Sequence, residues 1–165
     1  MNLQDNVQQQ TAGQLERQVS QKIQAFYREL LGHQPSKITC QLFGSKLAIV
    51  AEDSVTQPEQ LLAEEGQTEL AERVRSDLDK VLRPQLIQLI EETLSVGVID
   101  MMSNATIETG RTGMIVVFDR TPDVRNPKAI PKVKYSQNNG SDSEKIDLAK
   151  QDNDYSFESN GSGRE

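Results

Sequence analysis

The side chains best suited to nucleophilic chemistry occur once each: Cys40 is the only cysteine and His33 the only histidine. A thiol nucleophile needs a base within hydrogen-bond reach. Cys40 falls on the apolar side of the alternating stretch Ile38-Thr39-Cys40-Gln41-Leu42, an ordinary place for a buried free thiol. His33 sits in a turn ahead of that stretch, and nothing in the spacing brings the two together. One cysteine makes no intramolecular disulfide, and the chain has no zinc-ligand set. Glu64, Glu65, Glu69 and Glu72 gather at the start of a long helix, where negative charge complements the helix dipole. A metal site would need convergent ligands that this spacing does not supply. No catalytic residue, metal site or cofactor is therefore expected.

Gly110-Arg111-Thr112-Gly113 spells the GXXG with which RNA-binding KH modules clamp a nucleic-acid backbone. Here it joins two expected strands, so turn glycines account for it. The net charge of −7 and the 4% aromatic content also argue against a nucleic-acid partner. A small anion is the alternative ligand, with Arg111 and the turn N–H groups of Gly110, Thr112 and Gly113 as donors. Arg125, Lys128, Lys132 and Lys134 make a short basic stretch, a weak signal for anionic lipid.

The element that must organise the rest is a helix over residues 68–96, with apolar residues recurring at spacings of three and four. Before Pro84 its apolar arc takes in Leu70, Val74, Leu78, Val81 and Leu82. After Pro84 it takes in Leu86, Ile87, Leu89, Ile90 and Leu94, turned by roughly 100°. The pattern implies either a kinked core helix or a second interface. Gly97 is the expected left-handed cap.

Residues 1–10 are polar and glutamine-rich and are expected to be a disordered lead-in. Thr11 and Gln14 form a capping box ahead of a helix bearing Leu15, Val19, Ile23, Phe26 and Leu30, closed by Gly32. Ile38, Cys40 and Leu42, then Leu47, Ile49 and Ala51, alternate around Gly44-Ser45. The two-residue turn and the alternation choose one register, Phe43 with Lys46 and Leu42 with Leu47. Pro58 starts a short helix. Val98–Ile107 and Met114–Phe118 are the third and fourth strands, with Ile99, Met101, Ala105 and Ile107 on one face of the third and TGRTG as the turn between them. The order helix, hairpin, short and long helix, hairpin predicts an α+β two-layer sandwich with a four-stranded, mainly antiparallel sheet. Residues 122–165 lose apolar periodicity and are expected to be disordered.

Pro58-Glu59, Leu62, Glu65-Gly66, Arg83-Pro84, Ile90-Glu91, Gly97-Val98 and the run Ile115–Phe118 carry a family likeness. Over roughly residues 12–120 the chain resembles the MpsC-like family, whose members are named Na⁺-translocating membrane potential-generating system proteins and are otherwise a bacterial domain of unknown function. The resemblance implies an accessory to a bacterial membrane system for ion-coupled transport or inorganic-carbon accumulation. It carries no catalytic signature.

The start of the sequence does not read as a signal peptide, and no uninterrupted apolar run exceeds the five residues of Met114–Phe118, far short of the roughly 20 residues of a membrane span. The expectation is a non-enzymatic cytoplasmic adaptor, held at any membrane by a membrane-protein partner. A small-molecule regulatory domain is the alternative. Ile115 and Val117, on the second face of an apolar strand, and Ile87 and Leu94, off the main helical stripe, are the candidate interface of a homodimer.

Overall fold

The computed structural model describes residues 9–132. Helix α1 (Ala12–Leu31) leads into strands β1 (Lys37–Phe43) and β2 (Lys46–Glu52). Helices α2 (Gln57–Glu64) and α3 (Thr68–Leu94) follow, then strands β3 (Val98–Thr106) and β4 (Arg111–Phe118). The fold is α+β, in the order the sequence predicts. The four strands pair antiparallel throughout, in the order β1-β2-β4-β3.

Local chemistry sets the ends of the first elements. Thr11 Oγ1 accepts from the Gln14 N–H at 3.2 Å, and Gln14 Oε1 accepts from the Thr11 N–H at 2.8 Å, which satisfies two orphan donors of α1. The β1–β2 hairpin has the expected register, Phe43 with Lys46 and Cys40 with Ile49, and Gly44 takes the positive φ of 56° that the tight turn needs. Inward residues of all four strands (Leu42, Ile49, Met101 and Val116 among them) join Leu15, Val19, Ile23, Leu86 and Ile90 in one core. Helices α1 and α3 thus cover one face of the sheet, and α2 packs on α3.

Several expectations change. The buried positions of α3 are Ala71, Arg75, Leu82, Leu86, Ile90, Thr93 and Leu94. At 100° per residue these lie in one arc of about 140° that runs straight past Pro84. The apparent turn of the stripe arose because Leu70 and Val81, taken as core, are exposed, whereas a charged residue, Arg75, faces inward. Leu94 is therefore a core residue, and Ile87 packs partly buried against the same core. The left-handed cap of α3 is Ser95, at φ 53°, rather than Gly97. A bulge between Val98 and Asp100 turns Ile99 out to solvent, away from Met101. Strand β4 begins at Arg111, so only Gly110 of the GXXG belongs to the turn.

The boundary at residue 122 also moves. Val124 and Ile130 are buried in the core. Asn126 Oδ1 accepts from the Ala12 N–H at 2.9 Å, Arg125 N donates to the Gln10 carbonyl at 3.0 Å, and Pro131 O accepts from Gly44 N at 2.8 Å. Residues 122–132 are a strap that closes the ends of α1 and the first hairpin. The expectations for residues 1–8 and 133–165 lie outside the described residues.

Candidate functional site

The described residues hold an interior charged cluster where α2, α3 and the β3–β4 hairpin meet. Its centre is Arg75, with Glu59 beside it; their side chains are 4% and 1% exposed. Thr56 caps α2 through Glu59: the Thr56 N–H and hydroxyl both donate to Glu59 Oε2, at 2.8 and 2.5 Å. That capping box turns the carboxylate inward instead of leaving it on the helix surface. Arg75 comes up from about two turns inside α3. Its Nη1 lies 3.2 Å from the Ser54 carbonyl and 3.4 Å from Glu59 Oε1, and its Nη2 lies 3.4 Å from Asp79 Oδ1.

The network continues to both sides. Ser103 Oγ donates to Asp79 Oδ2 at 3.2 Å, and Arg83 binds Ser103 and the Met101 carbonyl, which ties α3 to β3. Ser54, fully buried, donates its N–H to the Gly110 carbonyl at 2.8 Å and shares a 2.7 Å hydrogen bond with Thr112. Burial pushes the Tyr27 hydroxyl up to about 12; Arg75 opposes that shift, and Asp79 and Glu59 add to it. A polar cleft of about 480 Å³ opens beside the cluster, with Arg75, Asp79, Lys80, Arg83 and Ser103 on its wall. A second cleft, of about 720 Å³, continues past Glu72 and Ile107 to Glu64, Glu108 and Asp53.

The cluster is chemically self-satisfied. Each inward carboxylate meets a guanidinium or a capping donor, so its geometry suits a clamp between helices and hairpin better than proton transfer. The one buried atom of Arg75 left without a partner is Nε.

The anion contacts expected from the sequence do not converge. The Gly110 N–H donates to the Thr106 and Ile107 carbonyls. Arg111 lies on the outer side of the sheet, 3.8 Å from Glu52, and Thr112 points inward to Ser54. Gly113 lies on the outer face two residues from Arg111. Cys40 is buried with its thiol pushed up to about 12, first by desolvation and then by Glu16, which keeps it protonated and inert. The His33 ring binds the Asp53 carbonyl. Ile115 and Val117 lie on the outer face of β4, half-buried, with no helix over them among the described residues.

The model of one protein family, described as a Na⁺-translocating membrane potential-generating system (MpsC), matches residues 11–120. The chain belongs to that family. The MpsC match spans every helix and strand from α1 to β4, and so includes both the charged cluster and the open sheet face. No curated protein and no solved structure matches. The family description associates the MpsC domain with a Na⁺-translocating membrane system. No helix among the described residues is long and apolar enough to cross a membrane.

Sequence reasoning missed the Glu59–Arg75 pair. The signal available was the Thr56-x-x-Glu59 capping box, which fixes where Glu59 points. A charge at position 75 reads as solvent-facing until its partner is known.

Proposed function

We propose that this chain is a non-enzymatic accessory domain of a bacterial membrane system for ion-coupled transport, working in the cytoplasm as a homodimer bound to a membrane protein. One observation carries the reading. The polar groups of the interior are spent on holding α2, α3 and the second hairpin together, while among the described residues the outer sheet face presents exposed apolar side chains such as Val50 and Met102. A domain built this way offers surfaces rather than a reaction centre. The family description supports a membrane partner, and a domain with no spanning helix among its described residues reaches that partner by docking.

The test is affinity purification of the full chain from cross-linked, detergent-solubilised cells, read by mass spectrometry. Recovery of a transport protein with membrane-spanning helices supports the adaptor. Recovery of soluble proteins alone overturns it. A thermal-shift screen with phosphate, bicarbonate and nucleotides tests the regulatory alternative. A stabilisation that Arg111→Ala removes would replace the adaptor by a ligand-binding regulator.

A further inference from the structure

The outer face of the sheet has a symmetry of its own. Strand β4 is flanked by β2 on one side and β3 on the other. Val117 pairs with Lys46 on one flank and Asp100 on the other, and Ile115 pairs with Ala48 and Met102. Lys46 and Asp100 therefore lie one strand to either side of β4, about 4.8 Å away, with opposite charges. Among the described residues neither has an ion-pair partner. Met102 is 51% exposed and Val50 43%, bordering a shallow depression of about 330 Å³. Gly113 lines the same depression, with open space where a side chain would stand.

We propose that this face binds a second copy of the same chain, β4 on β4, about a twofold axis running along that strand. The inference rests on the dimeric reading above and specifies its surface. A rotation about β4 lays β2 of one copy over β3 of the other. Lys46 of each copy then meets Asp100 of the other, Met102 covers Ala48, and Ile115 and Val117 pack on their own counterparts. Two sheets packed face to face with aligned strands place inner side chains in contact at about 10 Å separation. The arrangement closes after two copies, as an isologous contact must. A partner of unrelated sequence has no reason to carry the matching pair of charges at the same spacing.

Light scattering and sedimentation of the full chain test the proposal, with circular dichroism confirming that each variant folds. The chain should run at twice 18.4 kDa. Lys46→Asp and Asp100→Lys should each weaken association by about 10-fold or more. The combined Lys46→Asp/Asp100→Lys variant should recover most of that loss, an outcome that misfolding cannot imitate. Val117→Asp should give monomer. A dimer indifferent to all four changes overturns this interface and leaves the dimeric reading standing. A wild-type monomer at high micromolar concentration overturns both.

Discussion

Arg75 Nη1 lies 3.4 Å from Glu59 Oε1 across the α2–α3 junction, and both side chains are almost wholly buried. Taking both charges out of water is costly, and their attraction offsets that cost only while both are present. Arg75→Met should therefore destabilise the domain by about 3–5 kcal/mol, because it strands the buried carboxylate. Glu59→Gln keeps an acceptor for the Thr56 N–H and should cost about 1.5–3 kcal/mol. The double variant should cost clearly less than the sum, since the second change removes a charge the first left unpaired. Urea unfolding of the four proteins gives the coupling directly, and simple additivity would show that the pair does not act as a unit.

Alkaline pH should weaken the fold in two windows. Cys40 is raised from 9.0 to about 12 and Tyr27 from 10.0 to about 12. Between the ordinary and raised values the folded chain keeps protons that the unfolded chain has released. The stabilisation is whole below pH 9 for Cys40 and below pH 10 for Tyr27, and it is lost as pH climbs to 12. Each group should contribute a slope of up to about −1.4 kcal/mol per pH unit within its window. Cys40→Ala should flatten the curve from its lower edge, and Tyr27→Phe only above pH 10. Denaturant midpoints measured from pH 7 to 12 would reveal both.

The strap over residues 122–132 should contribute to stability. Ile130 is 3% exposed against the core, so Ile130→Ala should cost about 2–4 kcal/mol. A chain ending at residue 121 loses Val124, Ile130 and the Asn126 cap on α1, whereas one ending at residue 132 keeps them. Thermal melts of the two truncations should separate by several degrees, the shorter being the less stable. Equal melting temperatures would deny the strap a role.

Gly97 is held by Asp119, whose Oδ1 accepts its N–H at 3.1 Å. A Cβ at position 97 would come within 2.8 Å of Asp119 Oδ2. Gly97→Ala should cost about 0.5–1.5 kcal/mol, because the half-exposed Asp119 carboxylate can swing aside only by giving up its hydrogen bond to the Gly97 N–H. In an Asp119→Ala background the same change should cost much less, because the clashing carboxylate is gone. An undiminished penalty would place the strain in the backbone.

Much of this fold is fixed by neighbours in the chain. The Gly44-Ser45 turn and the alternation around it set the β1–β2 register residue by residue, because a slip of one position would turn every apolar side chain to the other face. Thr11 and Gln14 start α1 by a contact three residues long. The two faces of β4 are legible from strand periodicity, with Met114, Val116 and Phe118 on the inner one and Ile115 and Val117 on the outer. What the tertiary structure alone decided is where distant segments meet. The β2–β4 pairing puts Lys46 and Asp100 on either side of one strand, although they are far apart in sequence. Leu94 joins the core, and Arg75 faces inward because Glu59, on another helix, receives it there. Hydrophobic periodicity assigns charge to water. Only a partner brought in by the fold can reverse that assignment, since a buried charge is tolerated where an opposite charge and hydrogen bonds replace its hydration.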